Sequence, residues 1–142
     1  MSTLKILSGG AMKSLMVEAV PLFERHSGAK VQVEAEDGEA GMNREVALTL
    51  FRIFQETLTN IARHAKASEV DVKLSAQDGA YVLQIHDNGI GMDEAELTKP
   101  TSHGIRGMRE RARQLGGDIS VSSKPGGGTT LVISVPRDEH VA

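Results

Sequence analysis

Asp87, closing an alternating run and followed by Asn88-Gly89-Ile90-Gly91-Met92, is the residue of this chain best placed to read a small molecule. Tyr81 to Ile85 alternates apolar and polar residues as a half-buried strand does, and Asp87-Asn88-Gly89 is a strong turn signal. A carboxylate at the floor of such a turn can accept a hydrogen bond from a flat, amino-bearing heterocycle. Glycines at 89 and 91 let the backbone come close to a ligand. The same residues also describe an ordinary hairpin turn, so the pattern alone leaves both readings open. Upstream, Glu56, Asn60, Arg63 and His64 recur at helical spacing and share one face. Such a stripe is usually solvated surface. Here an uncharged amide among charged neighbours, on the helix that enters the turn system, favours a ligand-facing role. Ser8-Gly9-Gly10, between a short apolar run and a helix, could hold an oxyanion at the helix N-terminus, with a plain βαβ scaffold as the alternative.

The elements that must position these residues follow from periodicity. Leu4–Leu7 is a short apolar run, and Ala11–His26 reads as an amphipathic helix that Pro21 should kink or restart. Gly28 is a C-cap candidate, and Lys30–Ala35 alternates as a strand. Asn43 is a fair N-cap for the longest helix, from Arg44 to about Ala65, whose apolar stripe includes Leu50, Phe54, Leu58 and Ile61. Glu69–Ser75 is a strand that turns at Gln77-Asp78-Gly79 into the strand leading to Asp87. Residues 93–103 are polar and without period, as a lid would be. A glycine turn at Gly104 opens a helix over Met108–Leu115, capped by Gly116-Gly117. Asp118–Ser122 and Thr130–Val135 are two further strands, joined by Pro125-Gly126-Gly127-Gly128.

At 142 residues the chain suits one domain with one core, and its near absence of aromatic residues makes that core aliphatic with methionine filler. A net charge of −3 argues against a nucleic-acid partner and against membrane contact by this domain. There is no cysteine, so disulfide frameworks and thiolate metal sites are excluded. The start lacks a signal-peptide pattern and no run approaches membrane-spanning length, so a cytoplasmic domain is expected.

Two resemblances add to this reading. Residues 1–36, with L-K-I-L-S-G-G-A-M-K-S-L and then K-V-Q-V, resemble the mature N-terminus of molybdate-type solute-binding proteins, which leaves open a gene fusion, a chimera or chance similarity of a βαβ unit. Residues 43–136 resemble the GHKL ATPases, specifically the catalytic ATP-binding domain of histidine kinases that pair with NarL-type response regulators. That resemblance is carried by F-R-I-F-Q-E-T-L-T-N-I-A-R-H-A-K, D-N-G-I-G-M, H-G-I-R-G-M-R-E-R-A-R-Q-L-G-G and G-G-G-T-T, in order. It implies a Bergerat fold, a two-layer α/β sandwich with a mixed sheet and helices on one face.

The resemblance also implies roles, with ATP and Mg²⁺ as cofactors. Asn60 would be the Mg²⁺ ligand, and Glu56 the catalytic residue that positions a water. Arg63, His64 and Lys66 would face the phosphates, and Asp87 would accept the adenine amino group. Gly89 and Gly91 match the glycine box where a side chain would block the ring. Gly104 and Gly107 would leave backbone N–H groups for phosphate at the start of the Met108 helix. Met92, Ile105 and Met108 border these boxes, and a hydroxyl of Thr129 and Thr130 would support the aspartate and base. Nothing resembles the dimerising helical hairpin with its phosphoacceptor histidine. His26, His86, His103 and His140 all lack the acidic neighbour on a long surface helix. The partners implied are therefore a separate dimerisation and phosphoacceptor domain and, through it, a response regulator. A non-catalytic nucleotide- or oxyanion-binding module, and a serine kinase of anti-sigma-factor type, are the alternatives.

Overall fold

The structure is a computed structural model that describes residues 12–35, 42–93, 95 and 104–137. The Leu4–Leu7 run, the Ser8-Gly9-Gly10 turn, most of the expected lid with His103, and His140 lie outside the described residues. Helix α1 (Met12–Ser27) leads to strand β1 (Lys30–Ala35), and α2 (Arg44–Asn60) continues into a π turn over Ile61–Ala65. Strands β2 (Glu69–Gln77) and β3 (Ala80–Asp87) follow, then α3 (Ile105–Gln114), β4 (Asp118–Ser123) and β5 (Thr129–Pro136). The sheet has the order β1-β2-β3-β5-β4. Only β1 and β2 run parallel, and the β2–β3, β3–β5 and β4–β5 pairs are antiparallel, so the sheet is mixed as expected.

Strand alternation decides which face is covered. Val70, Val72, Leu74, Leu83, Ile85, Leu131, Ile133 and Val135 are buried with Met16, Leu50, Ile53, Phe54 and Met108 of the helices in one core. Asp71, Lys73, Gln84 and Ser134, on the other face, are exposed. The result is two layers with the helices on one side.

Local signals account for the helix ends. Asn43 caps α2 by accepting a hydrogen bond from Val46 N–H at 2.9 Å. Gly28, at φ 78°, ends α1 and donates its N–H to the Glu24 carbonyl. Pro21 does not interrupt α1. It lies on the solvent side, where the carbonyl it leaves unpaired can turn to water instead of breaking the helix. Helix α3 begins at Ile105 rather than Met108, because Gly104 at φ 68° already turns the chain into it. No helix among the described residues is long and apolar enough to cross a membrane.

Candidate nucleotide site

Asp87 is the last residue of β3 and is 3% exposed, in a cleft between the sheet and the helix layer. Its Oδ1 accepts the Gly89 N–H at 2.8 Å, the local bond expected where a strand breaks into an Asx-type turn. Burial pushes its pKa above the ordinary carboxylate value. The Gly89 N–H, the nearby His86 and the Thr129 backbone N–H act the other way. A carboxylate so placed is costly unless a donor comes to it, which makes Asp87 a candidate site residue.

The cleft has an apolar bed and a polar end. Ile85, Val121 and Leu131 rise from the sheet, while Ile61, Ile105 and Met108 close it from the helices. Thr57, Asn60 and His64 enter from α2 and the π turn, and Asp87 and Thr129 from adjacent strands. Gly91 and Met92 form the rim. Asn60 and Asp87 therefore line one cleft. A flat heterocycle fits this bed, with its polar edge toward Asp87 and Thr129.

Several expected residues fall elsewhere. Arg63 lines a different groove, with Leu22, Phe23 and His26 of α1, and not the cleft. The π turn explains this. Its wider loop advances each residue by less than the roughly 100° of an α-helix, so His64 stays over Asn60 and Arg63 falls behind. Lys66 is exposed and closes the turn in the left-handed region at φ 53°, outside the cleft lining. Thr130 is on the opposite face of β5 from Thr129, its hydroxyl 2.7 Å from His86 Nδ1. Adjacent strand residues cannot both enter one cleft. Met108, inside α3, keeps its expected place in the cleft lining, while Gly107 sits in the first turn with open space where a Cβ would be.

The two glycines after Asp87 serve the chain before any ligand. A Cβ at Gly89 would overlap the Ala65 carbonyl, and one at Gly91 the Lys124 carbonyl. Glu56 is at the edge of the site rather than in its lining. Its Oε1 accepts from Arg111 at 3.2 Å, and its Oε2 would be 2.7 Å from a Cβ at Gly104.

Three contributors escaped the sequence reading. Asn88 Oδ1 accepts the Ser68 and Glu69 N–H groups at 2.9 and 3.0 Å, tying the turn to the start of β2. Ser123 Oγ contacts Met92, Gly128 and Thr129. Arg111 pairs with Glu56. The Asx-turn pattern at Asp87-Asn88-Gly89 was the only local signal for any of them.

The sequence model for histidine kinase-, DNA gyrase B- and HSP90-like ATPases matches residues 45–139, and the chain belongs to that family. Its fold and motifs are those of the ATP-binding catalytic domain of sensor histidine kinases. The chain is 40% identical over 117 residues to the signal transduction histidine-protein kinase/phosphatase DegS of Brevibacillus brevis, covering 82% of this chain and 30% of that protein. It is 34% identical over 125 residues to the nitrate/nitrite sensor protein NarQ of Escherichia coli (strain K12), covering 87% of this chain and 22% of that one. The blue-light activated histidine kinase EL346 of Erythrobacter litoralis superposes with a TM-score of 0.74 at 23% identity, over 94% of this chain and 43% of that chain. The last likeness concerns fold alone. The chain spans less than a third of the length of either of these two relatives.

Proposed function

We propose that the chain binds Mg-ATP and presents the γ-phosphate to a histidine on a separate helical phosphoacceptor domain, as the catalytic unit of a cytoplasmic two-component sensor kinase. The observation that carries this reading is that Asn60 and Asp87, from different elements, line one cleft with an apolar bed. Asp87 accepts the amino group of the adenine, and the bed takes its faces. The first N–H groups of α3 follow Gly104 with no side-chain cap at the helix start, the arrangement in which a helix N-terminus takes a phosphate. The protein's own packing does not demand a glycine at 107, so the space there suits a close phosphate.

Asn60, in the cleft lining, offers an amide oxygen, a hard donor suited to magnesium, which takes few protein oxygens and completes its shell with phosphates and water. Asn60, through its amide oxygen, would hold it. When bound, the ion neutralises charge on the phosphate oxygens. Glu56 orients a water or the incoming nucleophile, and His64, in the cleft lining, offers a ring N–H toward the phosphate end. Catalysis in such a site is mainly positioning and electrostatics. The response regulator downstream is of NarL type in this reading.

Residues 12–35 are native to the domain in this reading, because Met12, Met16 and Phe23 are buried in the common core and β1 pairs along β2. The test is calorimetry with Mg-ADP, followed by transfer from labelled ATP to a histidine phosphoacceptor domain supplied in trans. Binding and transfer to histidine are expected. Absence of binding, or transfer to serine, overturns the reading.

A further inference from the structure

We propose that Ser123 is a specificity-determining residue: it fixes the Thr129 hydroxyl as a hydrogen-bond acceptor toward the cleft and so biases the site to an amino-bearing base over an oxo-bearing one. The inference rests on the nucleotide reading above.

Ser123 Oγ has three polar neighbours. The Met92 N–H donates to it at 2.7 Å, the Gly128 carbonyl oxygen is 3.0 Å away, and Thr129 Oγ1 is 2.7 Å away. A hydroxyl brings one proton and two lone pairs. The Gly128 carbonyl can only accept, so it takes the Ser123 proton. The Met92 N–H can only donate, so it fills one lone pair. The other lone pair receives the proton of Thr129. Thr129, itself in the cleft lining, keeps only lone pairs for a ligand.

Thr129 is also the cross-strand partner of Asp87. The polar end of the cleft therefore carries two acceptors on neighbouring strands. A base edge with amino protons satisfies both. A carbonyl edge meets them with lone pairs and leaves polar groups unmatched, which a site built for hydrogen bonding penalises heavily. Close packing surrounds the network: Gly91 lies against the Lys124 carbonyl, one residue after Ser123, where a Cβ would not fit.

The experiment is calorimetric titration of Mg-ADP and Mg-IDP, whose bases carry an amino group beside an unprotonated N1 and an oxo group beside an N1–H, into the wild type, Ser123→Ala and Ser123→Thr. The wild type should prefer ADP. Ser123→Ala should cut that preference by about tenfold, largely through tighter IDP binding as the Thr129 proton becomes free to donate. Ser123→Thr keeps a hydroxyl and should keep the preference. If Ser123→Ala weakens both nucleotides equally, the role is structural and the proposal is wrong. Should that variant melt before assay, Thr129→Val decides instead: it removes the acceptor, and an unchanged ADP preference refutes the proposal. A wild type that binds neither nucleotide overturns the nucleotide reading and this proposal with it, an outcome distinct from equal weakening.

Discussion

Gly89 packs directly on the carbonyl of Ala65: a Cβ at 89 would overlap that oxygen, to which the Ile90 N–H donates at 2.7 Å. The contact seals the π turn to the turn after β3 and so sets the distance between Asn60 and Asp87. Gly89→Ala should cost at least about 1–3 kcal/mol, because backbone and not a flexible side chain must move. Urea denaturation measures it; a change within a few tenths would show that the junction is slack.

Asp87→Asn keeps an oxygen for the Gly89 N–H but removes the charge that a base amino group meets. We expect adenine-nucleotide affinity to fall about 10- to 100-fold, the range for a charge-assisted hydrogen bond, with the fold intact. Calorimetry with Mg-ADP is the check, and equal affinity in both proteins would remove Asp87 from the site.

The same substitution should change the pH dependence of stability. Burial raises the Asp87 pKa above its ordinary 3.8, so the folded protein holds that proton more tightly than the unfolded chain. Below 3.8 both states are protonated and no charge is buried. As pH rises through the folded pKa the carboxylate ionises in a desolvated place, and that stability is lost. Asn never ionises, so Asp87→Asn should gain on the wild type from acid toward neutral pH in paired urea titrations. Asp118, held low by the Ile119 N–H and by Arg113 and Arg109, slopes the other way but equally in both proteins. A difference that stays flat with pH contradicts the assignment.

Asn60→Ala should weaken nucleotide binding about tenfold in the presence of Mg²⁺ and leave it nearly unchanged in excess chelator, since the amide is assigned to the ion and not the base. Equal losses in both conditions would instead place Asn60 against the nucleotide itself.

Arg111→Ala separates stability from chemistry. The Arg111–Glu56 pair is 3.2 Å long with side chains 44% and 40% exposed, so its loss should cost less than about 1 kcal/mol. Phosphoryl transfer should fall more than nucleotide affinity if the pair orients Glu56. Thermal melts and single-turnover transfer measure the two, and an affinity loss as large as the rate loss would refute that role.

What could be read from the residues was whatever is local in the chain. Asn43, Gly28 and the strand alternation gave caps and faces because each depends on a few neighbouring residues. The Asp87 turn and the Asn60 helix were legible as motifs for the same reason. Thr129 and Thr130 show the boundary. Alternation says that only one of the two can face the cleft, but the pairing of Asp87 with Thr129 decides which one.

The sequence by itself determined the elements, the aliphatic core and the family of the site, since hydrophobic period and turn chemistry are written residue by residue. Only the tertiary structure decided that a π turn sends Arg63 to another groove, that Gly89 and Gly91 are needed by Ala65 and Lys124, and that Ser123 reaches Met92 and Thr129. Most of those contacts join segments distant in the chain, and Ser123 meets Thr129 across a strand pair; all exist only once the sheet register and the helix pitch have brought the atoms together.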